Sequence, residues 1–121
     1  MTLESDIDKL IKRQQPGRTL EQVFYRSPEI YQVEFRRVLS PQWLYVAHQS
    51  ELPEVGDFVT YDIAEDSIIV VRGLDGEVRP FFNVCRHRGS QICQEKSGNT
   101  RRFVCPYHAW GYDLDGKLVS A

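Results

Sequence analysis

Four side chains in two short segments set the terms for this chain. Cys85-Arg86-His87 and Cys105-Pro106-Tyr107-His108 each supply one thiol and one imidazole, and seventeen residues separate His87 from Cys105. Each segment adjoins a run rich in β-branched or aromatic residues, Val78–Asn83 before the first and Arg102–Cys105 at the second. Both are therefore expected on loops at one end of a β domain. Loops carried by a rigid sheet are where a small domain can build a metal site. A single tetrahedral zinc accepts two thiolates and two imidazoles, and it stays open as a reading. Zinc sites, however, commonly group Cys with Cys and His with His, whereas the order here is Cys-His, then Cys-His. A Cys and a His two positions apart reach one ion with difficulty, but two neighbouring ions with ease.

A [2Fe–2S] cluster offers two such ions, with both thiolates on one iron and both imidazoles on the other. Each loop then spans the pair and gives one ligand to each metal. The oxidised core carries a charge of about +2, which two thiolates cancel and neutral imidazoles leave unchanged. Adding an electron to a neutral site is easier than adding one to a site with four thiolates. Centres of this type accordingly lie in the range of roughly −150 to +300 mV.

The rest of the chain reads as a helical lead-in followed by strands. Leu3, Ile7, Leu10 and Ile11 follow the spacing of one helix face, and Pro16-Gly17 breaks the pattern. A second helix is expected to start with Ser27 as N-cap and Pro28 at the first helical position, with Glu29 favouring the positive helix end. Tyr31, Phe35, Val38 and Leu39 give its apolar stripe, and Ser40-Pro41 ends it. Strands are expected at Trp43–Ala47, Asp57–Ile63, Ser67–Arg72, Val78–Asn83 and Arg102–Cys105, with hairpin tips at Leu74-Asp75-Gly76 and Asp115-Gly116. The expected fold is mostly β, a small antiparallel domain over residues 43–121 behind a helical lead-in over 1–42. Trp43, Tyr45 and Trp110 read as core aromatics, Cys93 as a buried thiol outside the ligand set, and His48 as filler at a strand end.

Composition narrows the function classes. The chain has 121 residues, and 15 Lys and Arg against 17 Asp and Glu give a net charge of −2, with no basic cluster to bind nucleic acid. The longest apolar runs, Trp43–Ala47 and Ile68–Val71, have five and four residues, far short of the roughly 20 needed to span a bilayer. No membrane contact is expected. The start lacks a basic leader followed by an apolar stretch, so the expected location is the cytoplasm. Thiols stay reduced there, and three Cys cannot all pair.

The pattern Cys-x-His-x17-Cys-x2-His, with the flanks CRHRG and CPYHAWGYDLDG, resembles a Rieske iron–sulfur domain. More narrowly it is similar to the N-terminal domain of the large subunit of Rieske non-haem iron oxygenases, as is the lead-in PEIYQVEFRRVLSPQWLYVAH. The wording CRHRGSQIC resembles the branch acting on choline, betaines and carnitine. The resemblance implies that Cys85 and Cys105 hold one iron of the cluster and His87 and His108 the other. It implies electron transfer from a reductase or ferredoxin to a mononuclear iron, for hydroxylation or demethylation with O₂ by a homotrimeric oxygenase. That second iron needs two His and a carboxylate. With two of the three His assigned to the cluster, only His48 is left, so the mononuclear site is expected in a catalytic domain outside this chain.

Respiratory relatives of the resembled family carry a disulfide between the two loops and a Ser that donates to a cluster sulfur. Ser90, Tyr107 and Trp110 stand at those positions here, which implies a potential near the low end of the range. Tyr112 is a candidate donor to a ligand sulfur, and Arg86 and Arg88 are candidates for steering an acidic donor protein. Three alternatives stay open at this point: a stand-alone Rieske ferredoxin, a structural zinc domain in the same four ligands, and a domain without a cluster kept for protein contacts.

Overall fold

A computed structural model describes residues 3–121, in two compact units, Met1–Tyr45 and Val46–Ala121. In the first unit, helix α1 runs over Leu3–Lys12. Its Ile7 and Leu10 are half-buried and Ile11 is exposed, while the Leu3 side chain lies outside the described residues. After one short turn, α2 at Val23–Arg26, helix α3 spans Pro28–Glu34. Ser27 caps α3 as expected, its Oγ accepting from the Ile30 N–H at 3.2 Å.

The buried face of α3 departs from the sequence expectation. Ile30 and Val33 are buried, whereas Tyr31 and Val38 are exposed. Over so short a helix both sets satisfy helical spacing, and packing chooses between them. The aliphatic pair lines a cavity of about 210 Å³ together with Ile7, Ile11 and Phe24, and Val38 of the expected stripe reaches only its rim as an exposed side chain. The helix also stops at Glu34 and widens into a π turn over Phe35–Leu39, closed by the Ser40 N–H on the Phe35 carbonyl at 2.7 Å.

The second unit holds two antiparallel sheets. Strands β1 (Asp57–Ile63), β2 (Asp66–Arg72), β3 (Val78–Phe82) and β4 (Ser97–Asn99) form the first, in the order β3-β2-β1-β4. Strands β5 (Phe103–Val104), β6 (Gly111–Tyr112) and β7 (Leu118–Ser120) form the second, in that order. Phe58 pairs with Val71 and Thr60 with Ile69. That register turns Ile69 and Val71 to the same face, where both are fully buried. Phe103 locks the sheets together, meeting Phe58 and Phe81 edge-to-face at 5.2 and 5.6 Å between ring centroids. Both expected hairpin tips form, and Arg79 bridges them by contacting Asp75 and Asp115.

Trp43–Ala47 forms no strand and takes no regular secondary structure: a β-rich stretch becomes a strand only when another strand receives its hydrogen bonds. Trp43 and Tyr45 are consequently not core residues; their relative exposures are 102% and 75%. His48 caps the turn at Gln49–Glu51 rather than ending a strand. Strands β4, β6 and β7 are too short, or too rich in Gly, Ser and Asn, to carry a sequence signal. No helix among the described residues is long and apolar enough to cross a membrane.

Candidate metal centre

The first loop leaves β3 at Phe82, and the second is the link between β5 and β6. The two share one backbone frame. In the first loop the Cys85 N–H donates to the Ser90 carbonyl at 2.7 Å, and the Gly89 N–H returns to the Cys85 carbonyl at 2.8 Å. In the second the Cys105 N–H donates to the Trp110 carbonyl at 2.9 Å, and the Ala109 N–H returns to the Cys105 carbonyl at 2.9 Å. The fifth residue of each frame is left-handed, Gly89 at φ 75° and Ala109 at φ 63°. Glycine takes that conformation freely, while alanine is held there by the surrounding bonds.

Within this frame the four sequence-predicted residues come together as two pairs. Cys85 and Cys105 are buried, at 3% and 2% exposure, and both belong to the hydrophobic core. His87 and His108 are exposed, with their Nδ1 atoms 3.1 Å apart and their rings edge-to-face. At metal–nitrogen distances of about 2.0–2.1 Å, two nitrogens on one tetrahedral ion lie about 3.3 Å apart, so the imidazole pair fits a single metal. No three His, Cys, Asp or Glu among the described residues gather as a site for one ion. The donor set thus divides into a sulfur pair in the core and a nitrogen pair at the surface, which suits two bridged irons and does not favour one zinc. No disulfide joins the loops, and Cys85, Cys93 and Cys105 are all free thiols.

Tyr112, at the end of β6, reaches the sulfur side. Its oxygen lies 3.3 Å from Cys85 Sγ and accepts from the Arg86 N–H at 2.9 Å. Burial, then the contact with Cys85, raises the Tyr112 pKa; either atom can donate in this contact, and a thiolate at Cys85 would make the Tyr112 O–H the donor. Burial by itself pushes the Cys85 thiol up. The Tyr112 hydroxyl, the His87 and Arg88 amides and the Cys105 thiol outweigh it and bring the pKa below the ordinary thiol value. Cys93 behaves in the opposite way. Burial, and then the Glu95 carboxylate 3.3 Å away, push its pKa up to about 11, and it remains a neutral thiol outside the donor set.

Two further residues emerge only from the structure. Asn83 is the sole buried polar side chain among the described residues, at 4% exposure. Its Oδ1 accepts from the Ile92 and Cys93 N–H groups at 3.0 and 2.8 Å. Its Nδ2 donates to the Cys93 carbonyl at 2.7 Å and to Ser67 Oγ at 3.1 Å. The amide thereby pins the segment that closes the first loop onto β2. In sequence an Asn after a strand signals only a turn. Trp110 packs against the core as expected, and its ring also stacks on the His87 imidazole.

Comparison with known proteins agrees with this geometry. The family described as the Rieske [2Fe-2S] domain matches residues 42–121. The glycine betaine monooxygenase oxygenase subunit of Chromohalobacter salexigens is 41% identical over 112 residues, which cover 93% of this chain and 25% of that protein. The biphenyl 2,3-dioxygenase subunit alpha of Rhodococcus jostii is 41% identical over 117 residues, covering 97% and 25%. Among solved structures, naphthalene 1,2-dioxygenase from a Rhodococcus species superposes with a TM-score of 0.82 at 40% identity, covering 98% of this chain and 27% of that one. A quaternary ammonium Rieske monooxygenase superposes at 0.77 with 38% identity, covering 85% and 30%. The chain thus spans about a quarter of the length of the curated relatives it matches. With this frame, this donor set and these relatives, the chain belongs to the Rieske [2Fe-2S] domain family, whose cofactor is a [2Fe–2S] cluster, and matches the large subunits of Rieske oxygenases.

Proposed function

We propose that Cys85 and Cys105 hold one iron of the [2Fe–2S] cluster and His87 and His108 the other, and that this chain is the electron-transfer domain of an oxygenase large subunit. The observation that carries the assignment is the pairing of donors. One repeated backbone frame sets two thiols in the core and two imidazole Nδ1 atoms 3.1 Å apart at the surface. When bound, the cluster takes up and returns one electron. Burial of the two thiols keeps bulk water from the sulfur. The Tyr112 hydroxyl donates to Cys85 Sγ and eases the build-up of negative charge there. The exposed imidazoles bring the centre to the surface, where a partner can dock, and the exposed Arg86 and Arg88 add positive charge that draws an acidic one.

In the whole protein the donor is a reductase or ferredoxin in the cytoplasm. The acceptor is a mononuclear iron in a neighbouring subunit of a homotrimer, which hydroxylates or demethylates its substrate with O₂. The likeness to a glycine betaine monooxygenase subunit and to a quaternary ammonium monooxygenase supports a substrate of that class. The test is electron paramagnetic resonance of the dithionite-reduced protein. The expected result is a red-brown protein with iron and acid-labile sulfide, whose average g value lies below that of an all-thiolate cluster. The signal is lost in Cys85→Ser and His108→Ala; its persistence in either removes that residue from the ligand set. A colourless protein carrying zinc overturns the whole assignment.

A further inference from the structure

Each loop holds its own backbone frame, and side chains link one loop to the other. Trp110 belongs to the second loop, yet its ring stacks on His87 of the first, with centroids 4.7 Å apart and planes 13° from parallel. Trp110 is itself held at two points. Its backbone carbonyl accepts from the Cys105 N–H at 2.9 Å, and its side chain packs against the hydrophobic core. His87 has no comparable footing of its own. It is exposed, and among the described residues the only hydrogen-bond contact of its ring is His108 Nδ1. Metal-binding imidazoles are ordinarily oriented by a carbonyl or carboxylate on the far ring nitrogen, and no such partner stands there. His108 differs, since its ring leans at 50° on Tyr107, 4.0 Å away and adjacent in sequence. That neighbour travels with the same loop and adds no reference to the core.

We propose that Trp110 is the positioning residue for His87: its indole face fixes the plane of the imidazole and ties it to the protein core across the gap between the loops. The proposal rests on the ligand assignment above. It requires a flat face at position 110, not merely apolar volume. Trp110→Leu keeps apolar bulk and removes the face, while Trp110→Phe keeps a face.

The experiment compares the reduced holoprotein with both variants by pulsed electron paramagnetic resonance, which reads the nitrogen coupling of each imidazole ligand separately. A chelator-driven iron-loss assay runs beside it. In W110L one of the two nitrogen couplings shifts and broadens while the other stays in place. Iron loss is about three- to tenfold faster, the factor that one aromatic stacking pair supports. W110F restores both couplings and brings iron loss back to within about twofold of the parent. If W110L fails to fold, Trp110→Met replaces it, because its flexible side chain fills the same space without a face. Unchanged couplings in the Leu or Met variant overturn the proposal, as do equal effects in the Leu and Phe variants, which indicate simple core filling. A parent protein without two nitrogen couplings removes the ligand assignment, and the proposal with it.

Discussion

Asn83→Ala is expected to be the most damaging single change outside the four proposed ligands. Truncation leaves the Ile92 N–H, the Cys93 N–H and the Cys93 carbonyl without the partners that Asn83 supplies at 2.7–3.0 Å. Each buried group stripped of its partner costs about 1–3 kcal/mol. Water entering the vacated space recovers part of this, so the net loss is about 3–5 kcal/mol. A unit the size of Val46–Ala121 has a total stability of about 4–11 kcal/mol, so the variant forfeits about a quarter of it or more. In thermal unfolding followed by circular dichroism, the midpoint falls by more than about 12 °C. Cluster absorbance is lost at lower denaturant than in the parent, because the segment closing the first loop is released from β2. Gln91→Ala is the control. Gln91 also donates to Ser67 Oγ, at 3.2 Å, but from an exposed position, and its loss costs less than about 0.5 kcal/mol. An Asn83→Ala protein within about 1 kcal/mol of the parent, or no worse than Gln91→Ala, refutes the reasoning.

Further outcomes follow from the same geometry. Tyr112→Phe removes the hydroxyl at 3.3 Å from Cys85 Sγ; about 1 kcal/mol of lost preference for the reduced state lowers the potential by about 40 mV in a redox titration. The parent itself is expected to titrate in the lower part of the Rieske range, since Ser90, Tyr107 and Trp110 stand where the resemblance would place the disulfide and the Ser donor of respiratory relatives. Gly89→Ala destabilises the holoprotein by about 1–2 kcal/mol and Ala109→Gly stabilises it by up to about 1 kcal/mol in denaturant titrations, because both positions are left-handed. The Asp75 carboxyl is held well below the usual carboxylate range, chiefly by its hydrogen bonds to Arg79. Its contribution is therefore present above an unfolded pKa of about 3.9 and fades as pH falls through the lower folded value. Asp75→Asn flattens that acid limb of the stability–pH curve, by an amount that shrinks in high salt.

Much of the architecture was legible in the chain because its strongest signals are local. Asp57–Ile63 shows as a strand from its own residues, and Asp75-Gly76 and Asp115-Gly116 mark turns because glycine takes left-handed φ without cost. Ser27-Pro28 starts a helix because the cap bond closes within three residues. The ligand pattern is local in the same sense, since each Cys-His pair sits in one tight loop. Other features depended on partners distant in sequence. Trp43–Ala47 has strand-forming residues and no strand to pair with, and Ser97–Asn99 has turn-forming residues and pairs with β1.

The sequence by itself determined which atoms are offered to a metal and roughly where the chain turns, because side-chain chemistry and backbone sterics act over a few residues. Only the tertiary structure decided that the thiols lie in the core while the imidazoles face outward with their Nδ1 atoms 3.1 Å apart. It alone turned Asn83 from a turn residue into the buried clamp of the first loop, and Trp110 into the face on which His87 rests. Those outcomes arise where two sheets and two loops close on each other, and burial, stacking and hydrogen-bond pairing across such a closure have no counterpart in a short stretch of chain.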